Sequence, residues 1–93
     1  MEARKYFVRG RVQGVGFRWY VEAEARALGI SGWVRNNSDG AVEVLAIGSN
    51  EQLSALHAKL RSGPRAARVD HIDIEPAQAP PELKTFRIEG SWS

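Results

Sequence analysis

The sequence predicts an α+β sandwich, with an antiparallel sheet carrying two helices on one face. Three observations predict it. Stretches rich in β-forming residues alternate with stretches of helical periodicity, glycine and proline punctuate the joints between them, and the joints are short. At 93 residues the chain is read as one domain, spanning residues 1–93, that buries little over ~60% of its unfolded surface.

Lys5 to Val12 is dense in β-forming residues and reads as the first strand. A helix follows from about Phe17 to Leu28, because Phe17, Val21, Ala25 and Leu28 recur on one face; Gly29 is placed to cap its C-terminus. Ile30 to Asn36 and Ala41 to Ile47 form a hairpin joined through Asp39-Gly40. Ser49-Asn50-Glu51-Gln52 has the form of a capping box and opens a second helix whose core face is Leu53, Leu56 and Leu60, stopped by Gly63-Pro64. Val69 to Glu75 alternates, with Ile72 and Ile74 inward. A short fifth strand near Thr85 to Glu89 follows the Pro80-Pro81 breaker. The order βαββαβ with an added C-terminal strand is that of a ferredoxin-like sandwich.

Composition removes several function classes. Thirteen basic against eleven acidic residues leave a net charge of +2, too small an excess to argue for a nucleic-acid partner. No cysteine is present, so disulfides and thiolate chemistry are out, in keeping with a cytoplasmic location. No apolar run approaches the ~18 residues of a membrane span, and Met1-Glu2-Ala3-Arg4-Lys5 lacks the apolar stretch of a secretory signal. His57 and His71 have no paired metal-ligand spacing, and Asp70-His71-Ile72-Asp73 alternates like an exposed strand face, so no metal site is expected. Glu22 and Glu24 point to different sides of the first helix and form no acid/base pair. Trp19, Tyr20, Trp33 and Trp92 read as packing or rim residues, with Trp33 the one that could line a site.

The chemistry concentrates in Gly10-Arg11-Val12-Gln13-Gly14-Val15-Gly16-Phe17-Arg18, a glycine-containing loop between a strand and a helix that ends in arginine. Glycines let successive N–H groups converge, the helix adds the positive end of its dipole, and arginine supplies a forked donor, which together suit an oxyanion. An ordinary turn would use the same glycines. The loop is neither a Walker A sequence, having no Gly-Lys-Ser/Thr, nor a dinucleotide fingerprint, since Trp19 stands where the last glycine is needed. It holds no Cys, Ser, Thr, Asp or His to attack phosphorus, so any nucleophile would be water. Asn36, at the end of the second strand, offers an amide to such a water, although a turn asparagine has the same local sequence.

The run Gly10 to Arg18, followed by Gly32-Trp33-Val34-Arg35-Asn36 and Asp39-Gly40-Ala41-Val42-Glu43, closely resembles the paired signatures of the acylphosphatase family. The likeness extends through Gly63-Pro64-Arg65-Ala66-Ala67-Arg68-Val69 to Phe86-Arg87-Ile88 and so covers nearly the whole chain. It implies an acylphosphatase in which Arg18 and Asn36 are catalytic. Its phosphate loop would run over Gln13, Gly14, Val15, Gly16, Phe17 and Arg18, binding mainly through backbone N–H groups. With such a nest and a water nucleophile we expect metal-independent hydrolysis of an acyl phosphate with no cofactor, inorganic phosphate as product and competitive inhibitor, and a monomer. Two other readings stand beside it. An RNA-recognition module shares the element order, but Ala41 to Ile47 has no aromatic for stacking bases; a phosphate-binding regulatory domain without turnover would be told apart by a hydrolysis assay.

Overall fold

The computed structural model describes residues 1–90, and Trp92 lies outside the described residues. Seven elements follow in order: β1 (Glu2–Arg11), α1 (Phe17–Ala27), β2 (Ser31–Asn36), β3 (Val42–Gly48), α2 (Asn50–Ser62), β4 (Arg68–Pro76) and β5 (Phe86–Ile88). The strands form one sheet in the order β4-β1-β3-β2-β5. β1 pairs antiparallel with both β3 and β4, and β2 pairs antiparallel with β3. β5 runs parallel to β2, so the added strand makes the sheet mixed rather than wholly antiparallel. The chain reaches β2 from its far side after crossing from β4 at the opposite edge, and that crossing fixes the direction of β5.

Both helices form as their sequences dictate. Ser49 Oγ accepts from Gln52 N at 3.1 Å while Gln52 Oε1 accepts from Ser49 N at 2.8 Å, closing the capping box of α2. The same glutamine donates through Nε2 to Leu28 O at 2.8 Å, tying the start of α2 to the end of α1. That end closes with Gly29 N donating to Arg26 O and Ile30 N to Ala25 O, the paired bonds that a glycine beyond the last helical residue permits.

Pleating assigns each strand residue a face. Tyr6 and Val8 of β1, Val34 of β2 and Val42, Val44 and Ala46 of β3 pack under the helices against Phe17, Val21, Ala25, Leu53, Leu56 and Leu60 in one buried cluster. Glu43, Leu45, Trp33, Arg35 and Lys5 alternate with them on the opposite face. Glu43, although only 3% exposed, stays ionised there through Lys5 Nζ at 3.2 Å and Arg35 Nη2 at 3.0 Å. One inward assignment fails. Ile72 is half-buried opposite Val8, but Ile74, opposite Tyr6, is 45% exposed, because β4 is an outer strand with a neighbour on one side only. Among the described residues no helix is long and apolar enough to cross a membrane.

Candidate active site

The joint between β1 and α1 and the end of β2 meet at one pocket of about 210 Å³, lined by Val12, Gly14, Gly16, Phe17, Arg18, Trp19 and Asn36. Their convergence follows from the strand pairing. Asn36 has the same parity as Val34, so its side chain emerges on the helix face of the sheet, beside the N-terminus of α1.

The loop itself is shaped by glycine. Gly14 and Gly16 have φ of +75° and +78°, in the left-handed region where an L side chain is strained, while the space around each is open. Gly16 is the N-cap of α1, has no side chain to cap it, and no acidic residue follows in the first turn. The first backbone bond of the helix runs from Tyr20 N to Gly16 O at 3.1 Å, so the amides of Phe17, Arg18 and Trp19 precede any intrahelical acceptor. An uncapped helix start with those amides at a polar pocket attracts an anion.

Arg18 supplies the charge. It is 8% exposed, and Nη1 donates to Gly90 O at 3.2 Å and, more weakly, to Glu89 O at 3.4 Å. Among the described residues no carboxylate pairs with it. A buried cation whose described partners are two carbonyls is under-compensated, and an anionic ligand relieves that imbalance. Parallel pairing of β5 with β2 is what carries Glu89 and Gly90 to this point: Glu89 N continues the ladder by donating to Val34 O at 2.8 Å.

Asn36 supplies the acceptor. Its Oδ1 is buried and has no hydrogen-bond partner. A buried carbonyl oxygen left unpaired costs about 1–3 kcal/mol, so any state in which a donor reaches it is favoured.

Gln13 and Val15 belong to the loop but do not line the pocket. The Gln13 side chain turns toward the β2–β3 hairpin, where Nε2 donates to Asn37 O at 2.7 Å and Ala41 O at 3.0 Å. It therefore locks the loop to the hairpin that bears Asn36. Trp33 does not line the pocket. It has the parity opposite to Asn36 and lies on the other face of the sheet, where the Arg35 guanidinium sits 4.6 Å and the Lys5 ammonium 5.7 Å from its ring. Trp19 does line the pocket, whereas Tyr20 packs between helices with its hydroxyl donating to Lys59 O.

The remaining titratable candidates stand apart from this pocket. His57 packs edge-on against Tyr6 at 5.8 Å, and burial, then the charges of Arg61 and Arg4, push its imidazole below the ordinary value. His71 bonds Asp73 at 2.7 Å on the exposed face of β4, which holds the Asp73 carboxyl low. Among the described residues no three His, Cys, Asp or Glu side chains gather where a metal ion could be held. Asp39 turns into the hairpin, where the Ala41 amide and then Arg9 keep its carboxyl below the ordinary range.

The model of the family described as Acylphosphatase matches residues 4–88. An acylphosphatase of Koribacter versatilis (strain Ellin345) is 57% identical over 91 residues, which span 98% of this chain and 83% of that one. The crystal structure of acylphosphatase from Bacillus subtilis superposes with a TM-score of 0.89 at 35% identity, covering 95% of this chain and 98% of that one. An acylphosphatase from Coxiella burnetii gives 0.88 at 34%, covering 95% and 92%. With the family matched over most of its length and the fold shared at these identities, the chain belongs to the acylphosphatase family and is a hydrolase of acyl phosphates.

Proposed function

We propose that the chain cleaves the carboxyl–phosphate mixed anhydride by direct attack of water on phosphorus, without a metal ion. The phosphoryl group lies in the nest of N–H groups between Gln13 and Arg18, and the Arg18 guanidinium grips two of its oxygens. The Asn36 amide accepts a hydrogen bond from the attacking water and holds it in line with the breaking bond. The P–O bond to the acyl oxygen breaks, the carboxylate leaves with the electron pair, and the water proton passes to an oxygen of the transferred phosphoryl group. A carboxylate leaves without protonation, which suits a pocket whose lining residues include no carboxylic acid or imidazole. Inorganic phosphate, the product, occupies the same nest and competes with substrate. A chain without cysteine suits the reducing cytoplasm, where we place this activity, and we take the enzyme to act as a monomer.

The observation that carries the reading is the unpaired, buried Oδ1 of Asn36, a residue that lines the same pocket as Arg18 and the uncapped start of α1. Substitution Asn36→Ala tests it. Loss of an oriented water predicts a fall in kcat of about 10²-fold or more, while the inhibition constant of phosphate stays within a few fold. An unchanged kcat in a folded Asn36→Ala protein would show that the water is held elsewhere. A parallel loss of kcat and phosphate affinity would mean that Asn36 only shapes the hairpin.

A further inference from the structure

The phosphoryl group accounts for only part of an acyl phosphate, and the pocket leaves open where the acyl part lies. Val12, Phe17 and Arg18 are buried in its floor and walls. Of the residues lining it, Trp19 alone is both large and exposed, with 72% of its surface open. Among the described residues it has no aromatic or cationic neighbour. An isolated indole held in water on the first turn of a helix contributes nothing to the core, and its apolar face is uncovered.

The floor beside it is bare. A Cβ added at Gly14 or Gly16 would meet no atom within 4 Å beyond its chain neighbours, so the space next to each glycine is open. Gly14, Gly16 and Trp19 line the same pocket, so a flat group leaving the nest past those glycines has the tryptophan as its large exposed neighbour. An indole face has the polarizable apolar surface that stacks on an aromatic ring and gains little from a methyl group.

We infer that Trp19 is the acyl-side contact of this pocket and sets a preference for acyl phosphates with an aromatic or extended apolar acyl group over acetyl phosphate. The inference rests on the pocket being the acyl phosphate site. Trp19 touches the substrate's acyl end and takes no part in bond breaking. Covering about 50 Å² of indole face corresponds to roughly tenfold in affinity.

Two measurements on the intact protein test it together. Inhibition by benzylphosphonate and methylphosphonate reports binding without turnover. In the unsubstituted protein the benzyl compound is expected to bind about tenfold more tightly; Trp19→Ala should collapse that ratio toward one and Trp19→Phe should keep most of it. The ratio of kcat/KM for benzoyl phosphate to that for acetyl phosphate should fall by a similar factor in Trp19→Ala. A ratio unchanged by Trp19→Ala overturns the assignment, because the acyl group then lies elsewhere. An equal loss on both compounds overturns it too, because Trp19 would then be shaping the loop. Selective phosphonate binding that depends on Trp19 in a protein that hydrolyses neither substrate would uphold this contact and overturn the hydrolytic reading alone.

Discussion

Gln13 offers the sharpest separation between binding the phosphate and keeping the site assembled. Its Nε2 donates to Asn37 O and Ala41 O, but neither carbonyl is orphaned when it is removed. Asn37 O also accepts from Gly40 N at 3.1 Å, and Ala41 O from Asn37 N at 2.8 Å. Gln13→Leu should therefore cost the net worth of two hydrogen bonds with no added burial penalty, about 2 kcal/mol, or a fall of roughly 10 °C in Tm for a chain of this size. Because the loop is then no longer locked to the strand end carrying Asn36, kcat should fall by about tenfold or more, as misplacements of an ångström do. Gln13→Glu adds a sign. A carboxylate facing two carbonyl oxygens is destabilised, so its folded pKa is raised above the unfolded value of about 4.3. Its stability is then full below that value and is lost as pH rises through the folded pKa, since only the protonated acid can donate. The Tm deficit of Gln13→Glu should widen between about pH 4 and pH 7, whereas that of Gln13→Leu should stay constant. Scanning calorimetry across that range, with kinetics on an acyl phosphate, measures both. A Gln13→Leu protein with Tm and kcat both unchanged would refute the reasoning.

Arg18→Gln should leave the fold intact and lower kcat by about 10³-fold or more while also weakening phosphate, since the guanidinium grips ground and transition states alike; steady-state kinetics and phosphate titration of a folded variant check it. Inorganic phosphate should raise the Tm of the unsubstituted protein, as any ligand of the native state does, and chelator should leave turnover unchanged. Activity lost in chelator and restored by a divalent ion would contradict metal-independent attack. Burial alone would raise the Glu43 carboxyl, but hydrogen bonds from Asn37, Arg35 and Lys5 hold it below its ordinary value. Its contribution to stability is therefore present above the unfolded pKa and lost as pH falls through the folded one. Glu43→Gln should cost about 2 kcal/mol at neutral pH, less than a wholly buried pair because Lys5 and Arg35 can turn to water, and should flatten the acid limb of the stability profile measured by circular dichroism.

What the sequence made legible was local. The capping box, the leucine face of α2 and the glycine after α1 are short-range patterns with one physical solution each, and the structure forms all three. The meeting of Arg18 with Asn36 was legible only through family likeness, because an arginine in a first turn and an asparagine beside a hairpin are each ordinary. Pleating alone put Trp33 and Asn36 on opposite faces, since they differ by three positions in one strand, so Trp33 could have been set aside on parity. The seat of Arg18 had no local signal. It is built from the backbone carbonyls of Glu89 and Gly90, and any residue has a carbonyl; only the parallel docking of β5 brings them there. Ile74 fails for a related reason: alternation reports which face a residue is on but not whether anything covers that face at the edge of a sheet.

The position of β4 and β5 at the two edges of the sheet bears on how the protein behaves in a crowd of its own copies. An outer strand is a template for a second chain, and a sheet with one open face invites such growth. β4 meets this with Asp70, Asp73 and Glu75 between its apolar residues and with Pro76, which lacks an amide proton, at its end. β5 meets it by brevity, presenting three residues. The exposed Ile74 is thus flanked on both sides by charged side chains, Asp73 and Glu75, whose desolvation opposes the pairing that its side chain would otherwise favour. Charge on the long edge and shortness on the other act as safeguards against aggregation, leaving the end of the sheet that carries the candidate site free to bear its open glycine loop.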